Sequence, residues 1–496
     1  MNKLRTSLPH LAASLANPIL VRELRQTVRN RVILYGLQFY LLALVLAFFY
    51  AVFTHSIFAG SDMELGSKLF PILLNLTFYT TLASVLIYGA GRLVFERVND
   101  DLMFYSTISP AGFVLGKMTC GLAISMMFYS VSFPFFTLIY LLRGVEITTL
   151  LLATAYSFCA VQLFLLMALV FFAGVNSWIS AVVRLVAFLV CGGGLFFFTA
   201  MVFYDLILRE QYQQGDAIWA LIILSAAKFL LLPTLLFFLA SCQFAPVEAN
   251  RMWAFRITAT VILLPSFVIG LFNFFPSPGL SSIGIWIILV FYPFIFFCFL
   301  AMHERERYGF RLRRNIPRSF LGRLAAFPFY TGNYNALAWL SCWFLLLIVA
   351  VPIYEWMVPG SRWNNLKTLQ VAFSAALLTY GYVSFTLYLW SKLLYRWVSK
   401  PWIGSITFAL LLLAFVGNYT AVYFTDSLGL VEFTQVLHVF FLIVPNYLWV
   451  LPGPSDGSEW SVQLYFSLGV FALFFAVNLR ETVRMFKTFQ RAEPQS

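Results

Sequence analysis

Residues 17–31, "NPILVRELRQTVRNR", set Arg22, Arg25, Arg29 and Arg31 against one acid, Glu23, and run straight into "VILYGLQFYLLALVLAFFYAV" at 32–52. The second stretch carries no charge. About 20 such residues, rising ~1.5 Å each, cross the ~30 Å hydrocarbon core of a bilayer. The first stretch has its own helix-start signals, with Asn17 as cap and Pro18 at the first helical position. On a 3.6-residue period Leu20, Leu24 and Val28 share one face, while Arg22, Arg25 and Arg29 share another. A helix of that kind lies in the plane of the membrane surface, apolar stripe toward acyl chains and arginines toward anionic head groups. It serves either as an anchor that fixes orientation or as a contact to the bundle or to a cytoplasmic partner, and the pattern alone leaves both open.

The rest of the chain fits this reading. Of its 496 residues 61% are hydrophobic, 19% aromatic and only 10% charged, with mean hydropathy +0.86. Soluble chains average roughly 25% charged residues, so lipid is the solvent implied here. The fold class expected is an all-α polytopic membrane protein. The first apolar segment has neither the short core nor the small-residue cleavage site of a signal peptide and should remain in place. Cys120, Cys159, Cys191, Cys242, Cys298 and Cys342 all lie in apolar segments without a C-x-x-C pair, which argues for core packing rather than disulfides or zinc. "HERER" at 303–307 lacks the second histidine of a zincin helix. No metal or other cofactor is expected in the chain. The net charge of +12 must be read by sidedness before nucleic acid is invoked.

Apolar runs of spanning length occur near 32–56, 69–91, 118–141, 149–173, 178–206, 217–241, 257–275, 281–302, 335–356, 368–391, 402–424 and 461–479. A further apolar segment, 431–454, is interrupted by Pro445 and Asn446. Suppose that it does not cross and that the N-terminus is cytoplasmic. The outer loops then hold Lys68, Arg143, Arg209, Arg362 and Lys367, Lys228 lies in a span, and every other one of the 32 Lys and Arg residues falls inside. That is a strong positive-inside signal, and it accounts for the charge without nucleic acid. If 431–454 crossed, the four tail cations Arg480, Arg484, Lys487 and Arg491 would move outside. The segment is therefore read as a re-entrant or interfacial element.

The expected organisation follows: a basic interfacial helix at 1–31, a six-helix unit at 32–245, a second at 246–479, and a tail at 480–496. About twelve spans leave both termini in the cytoplasm and the protein in a plasma membrane, the inner membrane of a bacterium. The longest cytoplasmic stretch, 303–333, is too short for a domain of its own.

The loop after the second span reads "ERVNDDLMFYSTISPAGFVLGKM" at 96–118. Asp100 and Asp101 open a short amphipathic run at Leu102, Met103, Phe104 and Tyr105. Ser109-Pro110 then stops one helix and can start another. Judged alone, this is either a docking element for a soluble partner or a solvated linker.

Together the two stretches resemble the membrane-spanning permease subunits of type-2 ABC transporters. "NPILVRELRQ" at 17–26 matches their opening helix. Glu96, Arg97, Leu102, Thr107, Ile108-Ser109-Pro110, Phe113 and Gly116-Lys117 follow the order of their motif between spans two and three. The chain departs in reading Asn99-Asp100 where Gly-Thr is usual, and it lacks the first proline of "TPLSP". The resemblance covers roughly residues 15–245. "ERER" at 304–307 follows the eighth span as "ER" follows the second, which hints at a duplicated unit. The resemblance implies an ATP-driven exporter whose loop 96–117 docks on a separate cytoplasmic ATPase subunit holding ATP and magnesium. The docking residues would be Glu96, Arg97, Asp100, Asp101, Leu102, Ser109, Pro110, Gly116 and Lys117. Arg22, Glu23, Arg25 and Arg29 would belong to the interfacial helix in contact with membrane lipids, and 431–454 would be an outer re-entrant element. One chain supplies both membrane halves, or two chains form a homodimer.

The chain itself is not expected to be an enzyme. "GFVLGKM" at 112–118 has three residues between its glycines and Met118 where a phosphate loop needs a hydroxyl. Ion-coupled carriers place carboxylates or histidines near midplane, and the spans show no acid there. Lys228, in "ILSAAKFLLLPTLL", is the one ionisable side chain near the middle of a span. It either lines a polar path or snorkels within the bundle. "CGGG" at 191–194 permits close helix approach or a hinge. The alternatives to an exporter are an ion-coupled carrier, or a membrane scaffold or lipid-modifying protein.

Overall fold

The computed structural model describes residues 25–26, 31–58, 65–91, 109–142, 145–173, 216–245, 249–271, 308–357, 379–394 and 458–491, with single residues between 181 and 193 and at 297, 304 and 377. Among these, every regular element is a helix. The chain divides into two compact units, Met1–Ala245 and Pro246–Ser496.

The first unit contains α1 (Arg31–Phe58), α2 (Leu65–Leu86, passing into a π-helical turn at Ile87–Gly91), α3 (Pro110–Leu141), α4 (Ile147–Phe172) and α5 (Asp216–Gln243). The first four carry stretches long and apolar enough to cross a membrane: Ile33–Tyr50, Leu69–Gly89, Pro110–Leu141 and Ile147–Phe172. The chain is thus membrane-embedded and, among the described residues, all-helical. These helices are apolar on all faces, as helices surrounded by lipid and other helices must be. α2, α3 and α4 pack on one another, α1 lies against α2 and α3, and α5 lies against α3 and α4. Burial separates core from rim, since 67% of the apolar stretch of α4 is buried but only 11% of that of α1. α1 turns Phe39, Leu42, Leu46, Phe49 and Phe53 outward and keeps Tyr40 and Leu44 inside.

Two kinds of contact hold this unit. Leu165 of α4 sits between Gly89 and Gly121, and a Cβ on either glycine would fall inside its van der Waals shell. Small residues at such crossings let backbones approach, which lipid alone does not enforce. Cross-helix hydrogen bonds add to this. Tyr40 donates to Thr77 Oγ1 at 2.8 Å, Tyr129 to Ser157 Oγ at 2.9 Å, and Gln162 Nε2 to Ser125 Oγ at 2.8 Å.

The second unit contains α6 (Trp253–Leu271), the short α7 (Phe310–Arg314) and α8 (Phe320–Ala326, with a 3-10 turn at Phe327–Phe329), and α9 (Asn333–Met357). Helical residues 379–389 follow, ending in a π-helical turn at Trp390–Leu394, and then α10 (Ser458–Thr488). Trp339 of α9 donates its indole N–H to Thr260 of α6 at 3.1 Å. Tyr380 meets Ser341 at 2.7 Å and stacks among Phe344 and Phe471, joining α9, residues 379–389 and α10. Asn478 Nδ2 donates to the Ser384 carbonyl at 3.1 Å.

Helix ends depart from the hydropathy reading in two places. α3 begins at Pro110 rather than 118, because the Ser109 cap and the proline start it there, ahead of the apolar run. α10 continues to Thr488, beyond the expected end at 479, because Arg480, Glu481, Arg484 and Lys487 are charged helix formers that hydropathy does not register. The expected spans at 281–302 and 402–424, most of 178–206, the first part of 368–391 and the segment 431–454 lie outside the described residues.

Candidate coupling site

The expected docking residues Glu96, Arg97, Asp100, Asp101 and Leu102, and Arg22, Glu23 and Arg29 of the basic helix, lie outside the described residues. Arg25 is helical and exposed. α5 passes through position 228, but the Lys228 side chain also lies outside the described set.

Ser109 is the N-cap of α3. Its Oγ accepts the Gly112 N–H at 3.1 Å and its carbonyl accepts the Phe113 N–H at 3.0 Å, with Pro110 at the first helical position. Ser109, Ala111 and Leu115 are exposed, whereas Val114, Gly116, Lys117 and Cys120 are buried. Helical periodicity forces that split, since 114, 117 and 121 form one stripe and 111 and 115 another. Gly116 and Lys117, expected on the docking surface, therefore face into the unit. Lys117 is only 2% exposed, with Nζ 5.7 Å from the ring centroid of Tyr88 and 5.8 Å from that of Phe113. The negative faces of the two rings attract the ammonium. Phe113 in turn stacks against Phe244 just after α5, at 4.7 Å. The first turns of α3, the π-helical turn ending α2 and the end of α5 thus meet at one cation–aromatic junction.

Arg184 closes another helix end. Its guanidinium donates to the carbonyls of Phe171, at 3.2 Å, and Ala173, satisfying acceptors that the last turn of α4 leaves open. Of the CGGG glycines, Gly192 packs against Phe164 and Met167.

In the second unit, residues 308–332 form a folded platform that the length of the stretch did not suggest. Leu312, Ile316, Phe327 and Tyr330 close around Phe489, with Tyr308, Ala326, Met485 and Phe486 packed against them. The tail after α10 thus supplies the central ring. Ser319 caps α8 as Ser109 caps α3, accepting the Gly322 N–H at 3.1 Å. Burial pushes the Tyr330 phenol above its usual range, and its hydroxyl donates to the Asn315 carbonyl at 2.9 Å.

A buried ion pair ties the platform to α6. Arg256, 1% exposed, bonds Glu304 and donates to the carbonyls of Pro328 and Tyr330, each at 2.6 Å. Glu304 accepts the N–H of Gly332 at 2.8 Å, and Gly332 holds a positive φ of 153° that an L side chain would strain. Asn250 Oδ1 accepts from the Thr331 N–H at 3.1 Å and from its hydroxyl at 3.0 Å. The turn entering α9 is thereby gripped from both sides. Beside it lies a cleft of about 490 Å³ lined by Asn250, Trp253, Arg311, Asn315 and Tyr330. In the sequence Arg256 and Glu304 stand as two unrelated charges. They are 48 positions apart, and the one available signal was their place beside the ends of neighbouring apolar segments.

Comparison with known proteins finds no matching family model, no matching curated protein and no matching solved structure.

Proposed function

We propose that this chain is the membrane-spanning permease subunit of an ATP-driven exporter of the type-2 ABC class, docked through residues 96–115 on a separate cytoplasmic ATPase that carries ATP and magnesium. The arrangement of α3 is the observation that carries the reading. A motif-bearing loop ends at a serine cap, and a 32-residue helix leads from that cap through the core of its unit, where it contacts α1, α2, α4 and α5. A push on the exposed first turn, at Ser109, Ala111 and Leu115, would travel along this rod and through the Lys117 junction to its neighbours. The buried Gly116 and Lys117 act as the receiving end of that lever. Twelve spans, cytoplasmic termini and a bacterial inner membrane complete the proposal, with the sidedness of the basic residues in its support.

An ion-coupled carrier is the weaker reading. Glu304, the buried carboxylate among the described residues, engages an arginine and a backbone N–H, which is a clamp rather than a proton site.

Co-purification of an ATPase from native membranes tests the proposal. Asp100→Arg with Asp101→Arg should abolish its retention while leaving the permease folded. Full retention by the double variant overturns this docking surface. No nucleotide-dependent conformational change in the purified assembly would favour a scaffold.

A further inference from the structure

The platform at 308–332 carries two exposed features outside its core cluster. α8 turns Phe320, Leu321 and Leu324 to the exterior, at 59%, 76% and 52% exposure. Positions 320, 321 and 324 lie on one face of a helix, so the outward surface of α8 is a continuous apolar ridge. The preceding segment exposes Arg311, Arg313, Arg314 and Arg318, and no Asp or Glu occurs from Arg307 to Tyr354. α9, an apolar helix of 25 residues, starts at Asn333, with six residues between it and the end of α8.

We propose that this platform is an anionic-phospholipid contact. Phe320, Leu321 and Leu324 enter the boundary between head groups and acyl chains, and the guanidinium groups of the 311–318 segment meet lipid phosphates. The physical case is charge complementarity joined to an apolar ridge. Neither a soluble linker nor the ordinary lipid-facing side of a span combines four exposed arginines with three exposed large apolar residues. A groove on a protein partner would match the ridge, but an arginine set with no acid within it, and none after it until Glu355, favours a uniformly negative surface. Leu321 and Leu324 lie outside the core cluster of the platform, and the Phe320 ring meets that of Phe486 with centroids 5.8 Å apart.

The contact is independent of ATP coupling, so its failure would leave the exporter proposal standing. The test uses the full chain with native cysteines replaced, Leu324→Cys carrying an environment-sensitive fluorophore, in nanodiscs of neutral phosphatidylcholine or of a phosphatidylcholine and phosphatidylglycerol mixture. The expected result is blue-shifted emission in the anionic discs, protected from aqueous iodide and quenched by lipids spin-labelled near the head group. Arg313→Gln, Arg314→Gln and Arg318→Gln together should weaken that partitioning by roughly a hundred-fold, at about five-fold per cation near an anionic surface. Leu321→Glu, at the most exposed of the three ridge positions, should abolish insertion without touching the core. Water-like, iodide-accessible emission in both disc types overturns the proposal. Protection that arises only on adding a soluble protein also overturns it, and assigns the ridge to a protein partner.

Discussion

Arg256 shows how a single side chain can hold a turn in place. Taking two charges out of water costs several kcal/mol per ion, and mutual attraction repays this only when every remaining lone pair and proton finds a partner. Here the partners are present: two backbone carbonyls for the guanidinium and the Gly332 N–H for the carboxylate. Glu304→Gln or Arg256→Leu, each leaving one charge buried and uncompensated, should destabilise the protein by about 3–5 kcal/mol. Thermal unfolding in detergent reads this directly, and Arg256→Met with Glu304→Leu should recover much of the loss. A different balance governs Lys392 and Glu481, joined at 2.8 Å on the rim of the second unit. The hydrogen bond from the Lys392 ammonium holds the Glu481 carboxyl below the ordinary 4.5. A lowered carboxylate contributes stability that is present above the unfolded value and lost as pH falls through the folded one. Lys392→Met should therefore melt earlier than the parent at pH 7, and the gap should close below about pH 4.5. A gap unchanged down to pH 3 would deny the bridge that role.

At the scale of helices, the joint of Leu165 with Gly89 and Gly121 decides how closely α2, α3 and α4 approach. Gly121→Val would drive its side chain into Leu165, whereas Leu165→Ala would leave a void and cost about 2–5 kcal/mol. The pair Gly121→Ala with Leu165→Ala should be more stable than the two separate losses imply, because the new methyl fills part of the void. Denaturation curves of all four proteins give the coupling. The helices themselves were legible in the sequence. Runs without charge cannot be anything but spans or core, and α1, α2, α4, α5 and α9 begin and end within a few residues of those runs. The start at Ser109-Pro110 was legible as a cap and proline signal although the apolar run begins later, whereas the extension of α10 along residues 480–487 was not. Contacts between distant residues were not legible at all. Neither the seat of Phe489 beneath Leu312 and Tyr330 nor the Arg256 clamp leaves a periodic trace in either segment. The two π-helical turns, Ile87–Gly91 and Trp390–Leu394, are equally invisible to hydropathy. Both close apolar helices, and such wide turns recur where a helix must yield or bind.

At the scale of the whole chain, sidedness is the quantity on which orientation, docking surface and lipid contact all depend. Lys and Arg near span ends resist translocation, so the distribution of the 32 basic residues sets the topology more firmly than any one apolar run. One of them, Arg256, is neutralised within the fold and adds little to that bias, which still leaves the platform arginines and the α10 cations Arg480, Arg484 and Lys487 on one side. The critical segment is 431–454. If it re-enters rather than crosses, the platform at 311–323, the loop at 96–108 and the C-terminus all face the cytoplasm. Reporter enzymes active on only one side of the membrane, fused after residues 104, 315 and 496 in separate chains, should all report the cytoplasm, and a fusion after residue 62 the outside. A C-terminal reporter active outside would mean that 431–454 crosses. That result would place the cations of α10 against the bias, move the docked end of α10 away from the platform that Phe489 seals, and contradict a contact the fold requires.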